Sequence, residues 1–211
     1  MHVSEAVARR RSVRHFLPDP VADDVLRRLL ERASRAPSGG NVQPWRIYVV
    51  NGDSMERFRA FAGERPIEVG EYDIYPADLW DPYRTNRFAI GEAMYAAIGV
   101  EREDKMGRLA QFAKNGEFFG APAGLFCFVD RRLGPPQWSD LGMFLQTFML
   151  LAQEAGLDTC AQEWWSVKHS AVREFVGAPD EEMLFCGMSI GHADPAHPIN
   201  SVRSERMPLD Q

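Results

Sequence analysis

Lysine is nearly missing from this chain of 211 residues: three (Lys105, Lys114, Lys168) stand against twenty-one arginines. Cysteine is scarce as well. Cys127, Cys160 and Cys186 form an odd, widely spaced set without a C-x-x-C pair, which excludes a disulfide scaffold and favours a reducing, cytoplasmic setting. Two of the three lie in apolar runs (LFCFV, LFCGM), where an inert buried thiol is expected. No apolar run approaches the roughly 18 residues of a membrane span, and MHVSEAVARRR has no signal-type apolar stretch, so no membrane partner is expected. Thirty acidic against 24 basic residues give a net charge of −6, which argues against nucleic acid as the main partner. Hydrolytic signatures such as G-x-S-x-G and H-E-x-x-H are absent. So are the Gly-Lys-Ser/Thr phosphate loop and G-x-G-x-x-G. His192, Asp194 and His197 in GHADPAHP are spaced as ligands could be, but their proline-flanked context reads as a surface loop, and no metal is expected.

What is present supports a real core, with 45% of residues hydrophobic and no repeat, low-complexity run or Gly/Ser linker, so one domain over 1–211 is expected. Residues 4–11 read as a short helix. Residues 21–36 form an amphipathic one with Val21, Val25, Leu26, Leu29, Leu30 and Ala33 on one face, Asp23 and Asp24 suiting its start. Helices are also expected over 53–62, 90–99, 103–115 and 169–176, and strands over 46–50, 125–129, the end of 156–164 and 183–191. The stretch 139–155, SDLGMFLQTFMLLAQEA, is apolar nearly all round and predicts a buried central helix. Residues 64–88 are rich in proline and aromatics without a period, so they read as functional or mobile, a possible lid. The tail 195–211 reads as extended and in need of something to pack against. Helices and about four strands with little strict βαβ alternation make this α+β.

Three clusters could carry chemistry. RRRSVRHF (9–16) surrounds Ser12 with Arg9, Arg10, Arg11 and Arg14. It is either a solvated basic end to a helix or a phosphate site, where guanidinium forks and a hydroxyl bind oxyanions. APSGGNVQPW (36–45) is either a helix-terminating turn or a loop whose Ser38, Asn41 and Gln43 read the edge of a planar ring. Arg203 and Arg206, in NSVRSERMPLD, are by themselves a charged terminus.

Taken together, RRSVRHF, APSGGNVQPW, QWSDLGMFLQTFMLLAQEAGLDTCAQEWW, GMSIGHADPAHPIN and ERMPLD resemble the FMN-dependent nitroreductase family, in order along essentially the whole chain. Within it, NGEFFGAPAGLFCFVDR and CAQEWW resemble the nitroaromatic or nitrobenzoate reductase branch. The resemblance implies a nitroreductase-like fold: a mostly antiparallel sheet flanked by helices, with the tail exchanged in a homodimer that shares two FMN molecules. It implies phosphate binding by Arg10, Ser12 and Arg206, with Arg11 and Arg203 beside them, and Arg14 at the flavin N1/O2 edge. Pro37, Ser38 and Asn41 match a loop lent by the other subunit. Glu163 and Trp164 match the pair whose backbone N–H groups approach N5/O4, and Asp140 matches a polar residue at the ring edge. A further basic contact falls to Arg84 or Arg87. Trp164 and Trp165 stand where many relatives carry a small residue, and Thr147 where an Asn is common. The implied activity is NADH- or NADPH-driven reduction of nitroaromatics, quinones or similar small flat acceptors. Alternatives are reductive dehalogenation, flavin fragmentation, metabolite dehydrogenation, or a flavin-binding module without turnover. No side-chain nucleophile is implied, because the flavin carries the chemistry.

Overall fold

In the computed structural model, which describes residues 1–209, four strands build one sheet. They are Arg46–Asn51 (β1), Ala123–Asp130 (β2), Asp158–Gln162 (β3) and Glu182–Gly191 (β4). Their order is β1-β2-β4-β3, and every neighbouring pair is antiparallel. The LFCFV run becomes β2, beside β4 at the centre, and Leu125 to Val129 are fully buried. Because strand side chains alternate, β2 feeds two cores. Leu125, Cys127 and Val129 face one, and Phe126 and Phe128 face the other.

Helices cover both faces. Asp23–Ala33 (α2) and Pro135–Glu154 (α6) pack on the first, with Leu26, Leu29 and Ala33 of α2 against Leu141, Phe144 and Phe148 of α6. Asp53–Gly63 (α3) and His169–Val176 (α7) cover the second, where Met55 and Phe58 meet Val172 and Trp165. Each fully buried phenylalanine there contributes about 1.5–3 kcal/mol. Val3–Arg9 (α1) contacts α6, while Tyr83–Ala97 (α4) and Lys105–Ala113 (α5) form an excursion with no buried residue.

Most boundaries fall within three residues of the sequence reading, and two differ by more. Helix α6 begins at Pro135, four residues earlier than the apolar pattern indicated, because proline is tolerated in a first turn whose N–H groups lack helical partners. The side chain of Gln137 accepts the Gly134 N–H at 3.4 Å and closes that end. Helix α4 begins at Tyr83, so the irregular stretch runs over 64–82 rather than 64–88. Its first half is bound down. The Glu68 N–H donates to the Val167 carbonyl at 2.9 Å, Glu71 pairs with Arg131 (2.5 Å) and Arg173 (2.8 Å), and the Tyr72 hydroxyl donates to the Phe185 carbonyl. The tail folds back on its own chain: Arg203 donates to the Arg9 carbonyl at 3.3 Å, and Asn86 meets Met207 at 3.2 Å. Of the expected tail, Asp210 and Gln211 lie outside the described residues.

Candidate active site

The arginine-rich segment does not continue α1. After Arg9 the chain extends along the edge of β3, where Ser12 bridges to Thr159 and the Val13 N–H donates to the Thr159 carbonyl at 3.0 Å. Buried Asn200 clasps this run to the other end of the chain. Its Oδ1 accepts the Arg14 N–H at 3.0 Å, and its Nδ2 donates to the carbonyls of His15 (2.7 Å) and Asp194 (2.9 Å). The result is a cavity of about 450 Å³ lined by Arg10, Arg11, Ser12, Arg14, Arg203 and Arg206. No carboxylate lines it among the described residues. Burial, and then the positive charge of Arg206, hold the Arg10 guanidinium below its ordinary pKa. Arg11 Nε is buried without a partner. Five cations without a counter-charge make a site that favours an anion.

Arg14 also lines a second, more apolar cavity of about 510 Å³. Its walls are Tyr75, Arg87, Met94, Tyr95, Phe112, Cys160 and the run Ala161–Trp164. The floor is set by buried Gln162, which donates to the Asn115 carbonyl at 2.9 Å and accepts from the Ser189 hydroxyl at 2.6 Å. Glu163 and Trp164 open the helical turn Glu163–Lys168, whose first N–H groups find no acceptor within the turn. Burial pushes the Glu163 carboxyl above the usual range, although the residue keeps an exposed surface. The Trp164 indole is seated on Gly116, where an added Cβ would lie 3.0 Å from the ring. Phe119, another wall residue, holds a left-handed backbone with Phe118 (φ 55° and 52°). That costly conformation persists because both rings are buried.

The 36–45 loop stands apart from both cavities. Gly40, Asn41 and Gln43 have left-handed backbones (φ 55°, 56°, 49°), which Gly adopts freely and Asn tolerates. The Ser38 hydroxyl accepts the Gln43 N–H at 3.0 Å, and Asp140 on α6 accepts the Gly39 N–H at 3.2 Å. The other Asp140 oxygen is buried without a partner, and Pro37 and Asn41 are exposed. Of the two basic candidates on α4, Arg84 is paired with Asp81 at 2.8 Å, whereas Arg87 lines the apolar cavity. The sequence singled out the arginines but not Asn200, Gln162 or Asn115. The signal for Asn200 was its place in the HPIN segment beside a histidine-rich turn, which gave no hint of its distant partner.

The model of the nitroreductase family matches residues 7–192. A nitrobenzene nitroreductase of Ectopseudomonas oleovorans is 36% identical over 214 residues, 99% of this chain and 94% of that protein. A 4-nitrobenzoate reductase of Pseudomonas putida is 36% identical over 202 residues, 95% and 89% of the two chains. Among solved structures, the FMN- and NADPH-dependent nitroreductase NfnB of Sphingopyxis sp. strain HMH superposes with a TM-score of 0.95 at 47% identity, covering 100% of this chain and 96% of that one. The FMN-dependent nitroreductase NfnB of Mycobacterium smegmatis, solved with NADPH, gives 0.91 at 28% identity, covering 99% and 97%.

Proposed function

The chain belongs to the nitroreductase family, and from that premise we propose that it is an FMN-dependent NAD(P)H oxidoreductase reducing nitroaromatics, quinones or similar flat acceptors. The observation that carries this reading is the pair of cavities meeting at Arg14. One is built for an anion and the other for a flat apolar ring. The orphaned Arg11 Nε and the uncompensated Arg10–Arg206 pair fit the phosphate end of FMN. Bound FMN supplies the hydride relay between nicotinamide and acceptor.

The chain's own part is placement and charge. Arg10, Arg11, Ser12, Arg203 and Arg206 hold the phosphate through charge-assisted bonds. Arg14, fixed by Asn200, puts a positive charge where the ring meets the phosphate arm and stabilises negative charge at that edge. Glu163 and Trp164 offer backbone N–H groups to the ring, and the apolar walls around Tyr95 and Phe112 exclude water from the acceptor's face.

The active form is a homodimer on this reading. Pro37, Ser38, Asn41 and Asp140 stand outside both cavities of their own chain, which supports their acting on the partner's flavin. Val3 (74% exposed), Val7 (53%) and Met143 (37%) on α1 and α6 are apolar surface that a second copy would cover. Three free, buried cysteines support a cytoplasmic setting, and no described helix is long and apolar enough to cross a membrane. The test is turnover of nitrobenzene with NADPH or NADH. Donor consumption with loss of the nitro group is expected. Unchanged nitro compound with both donors contradicts the reading, and release of halide or fragmented flavin instead points to the rival chemistries.

A further inference from the structure

Arg87 is the one arginine of the α4–α5 excursion that the apolar cavity takes into its wall. Its guanidinium carbon lies 4.4 Å from the centroid of the Tyr75 ring. The guanidinium also reaches the Tyr75 hydroxyl, and the remaining N–H donors of its fork are left for a further acceptor. Among the described residues no carboxylate pairs with that fork, whereas Arg84 is held by Asp81 at 2.8 Å. Glu163, the acid lining the same cavity, forms no ion pair with Arg87, although its charge reaches Tyr75.

The same excursion shows what completes such an arrangement. Arg108 lies 4.3 Å over the ring of Tyr95, and its fork grips the Glu92 carboxylate through two bonds of 2.5 and 2.9 Å. Tyr95, like Tyr75, lines the cavity. Arg87 over Tyr75 repeats the cation–ring half of that unit, without a carboxylate partner among the described residues, and it lines the cavity.

Resting on the reductase reading, we infer that Arg87 recognises the carboxylate of acidic aromatic acceptors, so that the substrate class this site prefers is the nitrobenzoates over neutral nitroarenes. The stacked guanidinium binds the carboxylate bidentately in its own plane, and the acceptor ring lies against the apolar walls.

The test compares wild type with Arg87→Gln and Arg87→Lys, using 4-nitrobenzoate and nitrobenzene as acceptors and benzoate as a ligand that cannot be reduced. Calorimetric titration of the flavin-loaded protein should show benzoate binding weakened about tenfold or more in Arg87→Gln, the size of one charge-assisted bond lost. The ratio of kcat/KM for nitrobenzoate over nitrobenzene should fall to match. Arg87→Lys should recover part of both, since it keeps the charge without the fork. Because Arg87 here serves the acceptor in place of the flavin contact that the resemblance offers Arg84 or Arg87, flavin content and the KM for NADPH should hold. Equal losses on both acceptors would overturn the inference. Loss of flavin would assign Arg87 to the cofactor, and a selective loss with NADPH over NADH would assign it to the donor's phosphate; either overturns it. A wild type that reduces nitrobenzene without preferring nitrobenzoate sinks this inference alone. One that reduces neither sinks the reductase reading with it.

Discussion

Arginine chemistry sets the site at the scale of single residues. Arg10 is half-buried among like charges, a repulsion that a bound anion would relieve. Arg10→Ala should therefore weaken FMN by about 1.5–3 kcal/mol, one charged bond, read as flavin passing through an ultrafiltration membrane. Full retention would remove Arg10 from the phosphate site. A second residue sets stability. Burial by itself would raise the Glu71 carboxyl; the hydrogen bond from Arg131 and the charges of His169, Arg131 and Arg173 outweigh it and hold the group below its usual range. A carboxyl depressed in the folded state stabilises above its unfolded pKa and loses that contribution as pH falls through the folded value. Glu71→Gln should thus cost about 1.5–3 kcal/mol at neutral pH, and the gap should close below a pH of about 4. Urea unfolding at the two pH values checks this, and a gap constant across pH contradicts it. The arginines were legible in the sequence as clusters. Their convergence was implied by the family resemblance and by no local pattern, because 9–14 and 203–206 are joined through the clasp of Asn200, and long-range hydrogen bonds leave no spacing signal.

Elements were more legible than sites, and the reasons are local. Helix α2 and strand β2 were read from periodicity and an unbroken apolar run, and both form there, α2 over 23–33 inside the 21–36 reading and β2 over 123–130 around the 125–129 one. The start of α6 was hidden by Pro135 and Pro136, which read as breakers but serve as a first turn. The aperiodic 64–82 stretch hid how firmly 64–72 is tied through Glu68, Glu71 and Tyr72, since ion pairs across 100 residues carry no spacing signal. We place any lid motion in 73–82, beyond those ties. Tight packing between elements gives its own prediction. Gly187 on β4 lies under the buried Trp165 indole, and a Cβ there would fall 2.4 Å from the ring. Trp165 is fully buried and has no room to retreat, so Gly187→Ala should destabilise by about 1–3 kcal/mol through overpacking. A thermal melt reads the loss, and an unchanged Tm contradicts it.

At the scale of the whole molecule, the proposed dimer divides each flavin site between two chains. The cavities that share Arg14 would be one half, and the Pro37–Asn41 loop braced by Asp140 would be the other. Complementation tests this division. Arg10→Ala in one chain and Ser38→Ala with Asn41→Gly in another should each lose flavin alone. Co-expressed as a heterodimer, they should recover one intact site of two, because Arg10 and the loop come from different chains. A heterodimer with no recovered flavin would mean that both halves act within one chain. The sequence made the family legible through five motifs in order and the α+β fold through the pattern of helices and strands, while the apolar cavity takes its walls from Trp164, braced on Gly116, and from Arg87, in three separate segments. The most direct test of the whole account is anaerobic addition of NADPH or NADH to the purified protein. The account predicts a yellow protein whose flavin absorbance bleaches within the turnover time and returns when a nitroaromatic is added. A protein that binds no flavin, or whose flavin stays oxidised with both donors, would contradict it.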